Sequence, residues 1–528
     1  MATAAPALQD PNLDSLVNLI RDSFRVRPNQ DPIYVDVGGH LSRVAAPQHQ
    51  VIYGRRGSGK SCLLVHFHRR VANQTGAFSI YIDCDEIKRL SYPDLLIRLL
   101  LRILDKLPIA RHPKWKFWAK PSSAELAIKE LRALLDLAED ADVTEQSSSL
   151  EAAKLETKLD APRFAKVGGT VTSETSKGRT SAFHERKLDT LERHFQDYKD
   201  ALVSALRATG SSHGALILDD FYLIHPTVQP DVIDYVHRLL RGTSLYFKIG
   251  TVRHRTSLVR TEGHTIGVEE YQDIEELNLD RTFEDTSATQ QYLETMLDSM
   301  GRQRGIEDAS HRLLSSDGRL ALALASGGVP RDYLTIFVEA IDAAKTTSKT
   351  KWLTPTTVYK GAGRVSYRTK VHHLRNDVGL DASPLERVFQ DLLEFCLREK
   401  RKTAFLIAQS EVVQFSEEHE LLLQLMDFKL VHVIESDTSA ASGRRGRFEA
   451  YTLDFALFME PRLRGIEHVE FWRVDAQRRR SGVREAPVYE LSRAATKARA
   501  TQPTPSTEDV VASIEAEAGI DTAEEEEE

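Results

Sequence analysis

Apolar positions recur along this chain in two rhythms. Over Leu13–Phe24 the residues Leu16, Val17, Leu19, Ile20 and Phe24 fall near helical spacing, and a helix is expected there. Ile33–Val37 reads as an extended segment running into Gly38 and Gly39. Short, nearly continuous apolar runs follow at Val51–Tyr53, Ala77–Ile82, Ala215–Leu218, Leu245–Gly250 and Ile274–Leu279. Runs of this length suit strands covered on both faces. Between them lie helical stretches, one beginning at Cys62, one over Tyr92–Leu107 and one over His184–Thr209. Strands alternating with helices predict an α/β core, a parallel sheet with helices on both faces.

The pattern changes at three places. Residues 109–185 carry Ser-rich and Gly/Thr-rich tracts, including Ser147–Ser149 and Gly168–Ser173, and read as an insertion with a hairpin near 164–183. From residue 282 to 375 the chain is helical in character. A last module spans 384–460, with helix Leu385–Glu399, strand Thr403–Ile407, helix Glu418–Phe428, and strands Leu430–Ile434 and Phe448–Leu453 joined through a tip at Ser442–Arg447. This is the order of a winged helix. The expected organisation is an N-terminal tail and helix (1–30), a core (31–281), a helical lid (282–375), a winged-helix-like α+β module (384–460) and a disordered tail (475–528) ending in Glu524–Glu528.

Composition narrows the classes without choosing among them. A chain of 528 residues, 41% hydrophobic and 28% charged, has ordinary globular usage and room for several cores. No apolar run approaches the roughly 18 residues of a membrane span. The opening residues lack a secretory layout, so a cytoplasmic protein without membrane attachment is expected. Cys62, Cys84 and Cys396 are too widely spaced to suggest a disulfide framework or a Cys-based zinc site. The net charge of −8 gives no general attraction to nucleic acid, leaving only local patches.

The candidate chemistry lies in Gly54-Arg55-Arg56-Gly57-Ser58-Gly59-Lys60-Ser61, which fits G-x-x-x-x-G-K-[ST] between a strand and a helix. Its glycines let backbone N–H groups curl round an anion, and the helix N-terminus adds positive potential. Lys60 can reach β- and γ-phosphates, and the Ser61 hydroxyl can ligate Mg²⁺. The nucleotide-binding set is therefore Gly54 through Cys62. A second motif, Ala215–Asp220, ends an apolar strand in two acids at its carboxyl end, where ligands of open α/β sheets collect. Asp219 is the candidate Mg²⁺ ligand beside Ser61, and Asp220 the candidate base or orienter for an attacking water. Thr251 and Arg253 follow the next strand, where a polar group and a cation can sense a γ-phosphate. Gly327–Arg331 makes a sharp turn from which Arg331 can reach back from a lid.

Together these pieces resemble the P-loop ATPases of the AAA+ and STAND groups, most closely their origin-recognition-like and signal-transducing branches. In that resemblance Gly54–Ser61 is Walker A, Leu216–Asp220 is Walker B, Thr251 and Arg253 are sensor 1, and Gly328–Arg331 is the sensor 2 turn. It covers residues 30–460 apart from the insertion. It implies an ASCE-type P-loop core, ATP as the nucleotide, Mg²⁺ as its ion, a base pocket near Val35–His40, and a winged helix after the lid. An arginine finger acting on a neighbouring copy, Arg255 or Arg260, would require assembly. One departure is Asp219-Asp220, where many active relatives have Asp-Glu; the shorter acid implies slow turnover.

Three functions fit this reading. The first is an ATPase used as a conformational switch, with ATP clamping the lid through Arg331 and Arg253, and with a protein partner or self-assembly to read it. The second is a DNA-associated ATPase, a loader or a component of mobile-element or phage-defence machinery, touching phosphates through Arg444, Arg445 and Arg447. Against it, Glu417, Glu418 and Glu420 on the candidate recognition helix would face a phosphate-lined groove. The third is a sensor that binds a nucleoside triphosphate without hydrolysing it.

Overall fold

The computed structural model describes residues 7–29, 32–72, 77–107, 122–136, 184–347, 351–363, 369–370, 374, 382–441, 443–458, 465–474, 480, 482–499 and 513. The hairpin expected near 164–183 and the final Glu524–Glu528 run lie outside them.

Five strands form one parallel sheet: β1 (Gln50–Tyr53), β2 (Ala77–Asp83), β3 (His213–Asp219), β4 (Leu245–Thr251) and β7 (Glu275–Asn278), in the order β2-β3-β4-β1-β7. Strand β4 therefore separates the phosphate-loop strand from the acidic strand. The register sets Tyr53 beside Thr251 and Asp83 beside Asp219, so the loop and the acids share one carboxyl edge. Successive residues of each strand face opposite layers. Val51, Ile80, Ile82, Leu216 and Leu218 pack with helices Asp94–Lys106, Phe195–Ala208 and Gln229–Leu240. Ile52, Tyr81 and Ile217 pack with Leu63, Leu64 and Phe67 of helix Lys60–Ala72. Each fully buried aliphatic side chain contributes roughly 1.5–3 kcal/mol, which is why these runs carry no polar alternation.

An antiparallel hairpin, β5 (Val259–Glu262) and β6 (His264–Gly267), was not expected. Its residues are mostly polar and exposed, so it leaves little hydrophobic signature. Its glycines are the local signal: Gly263 turns at φ 78°, and at Gly267 (φ 115°) a Cβ would lie 2.0 Å from the Leu258 carbonyl oxygen. The helix expected over His184–Thr209 is broken by a turn at His194.

The following region is helical: Thr286–Arg302, Ala309–Leu313, Ser316–Ala325, Pro330–Thr347 and Pro355–Ala362. Asp285 caps the first through the Ala288 N–H at 2.8 Å, and Thr354 with Thr357 forms a capping box on the last. The N-terminal helix Leu13–Ser23 buries Leu13, Leu16, Val17 and Ile20 against this layer, so it packs as part of it.

The C-terminal module has the winged-helix order. Helix Ala382–Leu393, continued by a π-helical turn at Glu394–Glu399, leads to β8 (Ala404–Ala408), helices Gln409–Gln414 and Ser416–Asp427, β9 (Val431–Thr438) and β10 (Phe448–Leu453). Its antiparallel sheet runs β8-β10-β9. Residues 482–499 correct the expectation of a disordered tail from 475 onward. Val483, Ala486, Tyr489, Leu491 and Ala494 are buried in this module's core. The Leu406 N–H donates to the Pro487 carbonyl and the Tyr489 N–H to the Leu406 carbonyl, both at 2.8 Å, covering the edge of β8. The segment reads as polar because its apolar residues alternate with charges, and those charges have partners: Arg493 binds Asp391 and Glu399 at 2.7 Å each. Among the described residues no helix is long and apolar enough to cross a membrane.

Candidate nucleotide site

Strand β1 delivers Gly54 to the carboxyl edge of the sheet, where its N–H donates to the Thr251 carbonyl at 3.2 Å. The loop then turns through Gly57 (φ 93°) and Gly59 (φ 100°), conformations that side chains rarely adopt. A Cβ on Gly57 would also meet Arg331 Cβ at 2.9 Å, so the bare glycine permits the lid turn to sit on the loop. The Arg331 N–H donates to the Gly57 carbonyl at 3.2 Å. Lys60 opens helix Lys60–Ala72 and is buried, its Nζ donating to the carbonyls of Gly54 (2.5 Å) and Arg55 (3.2 Å). Burial lowers its pKa, opposed by Asp220, Asp280 and Asp219. The Ser58 hydroxyl is buried with no hydrogen-bond partner.

Strand β3 ends at Asp219, which is 2% exposed. Its carboxylate accepts from Tyr81 Oη at 2.6 Å, from the Asp220 N–H at 3.0 Å and from the Ser61 hydroxyl. Burial raises its pKa against these partners. Gly250 on β4 makes the space: a Cβ there would lie 2.7 Å from Asp219 Oδ1. Asp220 is left-handed (φ 53°, ψ 40°), a region unusual outside glycine and tolerated best by Asn and Asp. Burial first, and the Asp219 charge next, push its pKa up to about 6, while Lys60, Arg56 and Arg331 pull it down.

Gly57, Gly59, Lys60, Ser61, Asp220 and Arg331 line one cavity of about 680 Å³, and Asp219 stands behind it, bonded to Ser61. Its lining carries Arg56, Lys60, Lys88, Arg255 and Arg331 with the carboxylates Asp85, paired with Lys88 at 2.5 Å, and Asp220, a basic lining suited to a polyphosphate. Its apolar lining is Phe24, Val26, Ile33, Val35, Tyr292 and Met296, with Arg331 Nη2 donating to the Phe24 carbonyl at 3.5 Å. Of the segment expected to hold a base, Val35 lines the cavity, whereas the N–H groups of His40 and Leu41 donate to the Asp36 carboxylate at 2.8 and 3.2 Å. Ser61 and Cys62 also line it, with the Cys62 thiol donating to the Ile33 carbonyl at 3.3 Å.

Several expected residues stand elsewhere. Arg253 lies over the Tyr53 ring, 4.1 Å from its centroid, and pairs with Glu276. Thr251 is fully buried, its hydroxyl 2.5 Å from that of Thr256. Neither lines the cavity. Arg255, two residues on, does. Arg260, the other finger candidate, is held by Asp231 at 2.8 and 3.0 Å. The physical reason is local: β4 is followed by a single 3-10 turn, Arg253–Arg255, which sends its first and last arginines to different neighbours.

Arg55 departs most from its expected role. It is 5% exposed and turned away from the cavity lining. Its backbone N–H and Nε bind Asp280 (2.8 and 3.3 Å), and its Nη2 donates to the carbonyls of Arg281 (2.7 Å) and Gly327 (3.2 Å). Its Nη1 lies 3.2 Å from Nδ1 of His432 on β9. His432 Nε2 in turn meets Asp454 at 2.7 Å, and Asp454 meets Lys370 at 2.7 Å. Burial lowers the pKa of His432 to about 4, so the ring is neutral: Nε2–H donates to Asp454 and Nδ1 accepts from Arg55. Burial would raise Asp454, but Lys370 and His432 outweigh it and hold it at about 2. One loop residue thus fastens the core to both the lid and the C-terminal module.

The wing tip is exposed, with Arg447 bound to Asp437 and Arg444 3.8 Å from Glu490. The candidate recognition helix is docked on the core: the His254 N–H donates to Asp427 at 3.0 Å, and the His254 ring is 3.2 Å from Glu420.

The strand order, the glycine loop opening helix Lys60–Ala72 and the acids ending β3 define a parallel-sheet P-loop core of the ASCE type, carrying a helical lid and a winged-helix module. No protein-family model matches the chain, and no curated protein does. Among solved structures it is similar to the ORC1 protein of Aeropyrum pernix in complex with DNA, at 13% identity over 85% of this chain and 92% of that one, with a TM-score of 0.31. A Walker-type ATPase of Pyrococcus abyssi is similar at 13% identity over 81% and 96%, with a TM-score of 0.36. At scores this low the fold assignment rests on the strand order and register themselves.

Proposed function

We propose that this chain binds ATP with Mg²⁺ at the phosphate loop and hydrolyses it as the step of a conformational switch. The reading is carried by one juxtaposition, in which Lys60, Ser61, Asp220 and the lid's Arg331 line the same positively charged cavity. The residues fit the ligands. Gly57 and Gly59 leave their backbone bare, the Ser58 hydroxyl lacks a partner, and Ser61 with Asp219 offers two adjoining oxygen donors. Ser61 and Asp219 would hold Mg²⁺, which when bound neutralises charge on the phosphate oxygens. Lys60 binds the β- and γ-phosphates. Asp220 orients the attacking water and takes its proton, a task suited to a carboxylate raised toward working pH. Arg331 neutralises phosphate charge, and because its N–H rests on the Gly57 carbonyl, lid position and phosphate occupancy are linked. The three cysteines are free thiols, in keeping with a cytoplasmic location.

Single-turnover hydrolysis in wild type and Asp220→Asn tests the reading. The variant should keep ATP affinity within about threefold and lose hydrolysis about 100-fold. Wild-type kcat/KM should fall on the acid side with a midpoint near 6, and the variant should lack that limb. Absence of hydrolysis in both proteins, with ATP bound, would leave the binding-only sensor instead. The DNA-acting reading has less support, because helix Ser416–Asp427 is engaged by His254; it would require turnover that rises with DNA and falls steeply with salt.

A further inference from the structure

We infer that a second, smaller cavity, where core, lid and C-terminal module meet, is a binding site for a small aromatic carboxylate. It measures about 150 Å³ and adjoins the nucleotide cavity, with which it shares Arg56, Tyr222, Arg255 and Arg331. Each part of the protein supplies a wall. Tyr222 and Val252 come from the core, Thr335 and Ile336 from helix Pro330–Thr347, and Phe428 and Lys429 from the chain that follows helix Ser416–Asp427. Val252, Ile336 and Phe428 are buried. Small-ligand sites form preferentially at such junctions, with apolar walls and a few polar groups that set orientation. A space of this size between apolar side chains takes one benzene-sized ring.

Charge selects the head group. On the far side the charges are matched within the protein: Lys429 binds Asp332 at 2.8 Å, Lys370 binds Asp454 at 2.7 Å, and Asp427 accepts the His254 N–H at 3.0 Å. The wall shared with the nucleotide cavity gathers three guanidiniums, Arg56, Arg255 and Arg331. Their summed positive potential favours an anion whatever else each of them binds. The ligand these walls fit therefore has a flat apolar body, set among Val252, Ile336 and Phe428, and one carboxylate turned toward the arginines. Bound there it touches all three parts at once and resists their separation. Binding needs no nucleotide.

The probe is sodium benzoate, titrated into the full chain without nucleotide by ligand-observed NMR, against sodium acetate and benzyl alcohol at equal ionic strength. Benzoate should bind at about 1 mM or tighter, and acetate and benzyl alcohol each about tenfold more weakly. Benzoate should also raise the melting temperature and slow hydrogen exchange over residues 332–337 and 428–431. Thr335 lines only the smaller cavity. Thr335→Phe, which fills that space from the lid, should lose benzoate at least about tenfold, whereas Thr335→Ser should keep it. Arg331→Gln should bring benzoate and benzyl alcohol to equal affinity. Should Thr335→Phe fail to fold, Phe428→Ala serves: enlarging the wall, it should admit 2-naphthoate, which wild type excludes. Benzoate binding that survives Thr335→Phe, or equal binding of benzoate and benzyl alcohol by wild type, overturns the inference and leaves the ATP site standing. So does protection by benzoate that appears at Tyr292 and Met296 rather than at residues 332–337.

Discussion

Arg55 and Arg56 are adjacent in one loop and serve two regions of opposite character. Arg56 faces the cavity, where basic groups outnumber acids around open space. Arg55 faces a closed seam, where each charge has a specific partner: Asp280 and His432, then Asp454 and Lys370, with Lys429 on Asp332 at 2.8 Å alongside. A lining rich in like charge suits a polyanion. A matched buried network adds little net stability over an apolar core, yet it is badly damaged by loss of one member and so fixes a particular docking geometry. The loop therefore couples a site built to be filled to a joint built to be kept.

The largest effect should come from breaking the seam. Arg55→Ala takes the guanidinium from Asp280, from the Gly327 carbonyl and from His432 Nδ1, and should cost about 3–5 kcal/mol of stability, with faster hydrogen exchange in β9. Thermal unfolding and exchange check this. If the variant instead kept its stability and lost ATP affinity, Arg55 would be a phosphate ligand and the contrast would dissolve.

A smaller effect sharpens the chemistry of the seam. The unfolded chain binds a proton at His432 near 6.5, but the folded chain does so only near 4. Stability from the neutral ring is thus complete above pH 6.5 and lost as pH falls through that window, by roughly 3 kcal/mol in all. Urea titrations from pH 4 to 7 should show wild type losing stability on acidification relative to His432→Gln. The opposite slope would mean that the ring is a cation in the fold.

The sheet and its acidic edge were legible because burial on both faces demands unbroken apolar runs, and phosphate binding demands glycine at fixed spacing. Gly54–Ser61 and Leu216–Asp220 satisfy both requirements locally. The seam was not legible, since Arg55, Asp280, His432 and Asp454 are far apart in sequence and meet only through packing. Arg253 and Arg255 share a turn and a residue type, so only the neighbours Glu276, Tyr222 and Phe428 tell them apart. The segment 482–499 resembles a tail in sequence because an edge-covering strip needs only scattered apolar residues among charges.

The most direct test of the ATP site is calorimetric titration of wild type and Lys60→Ala with Mg-ATP, alongside their melting temperatures. Wild type should bind one ATP per chain. The variant should bind about 100-fold more weakly, a loss of about 2.7 kcal/mol, while its melting temperature stays near that of wild type. Equal affinity in the two proteins, or no binding by wild type, would contradict the assignment of this cavity as the nucleotide site.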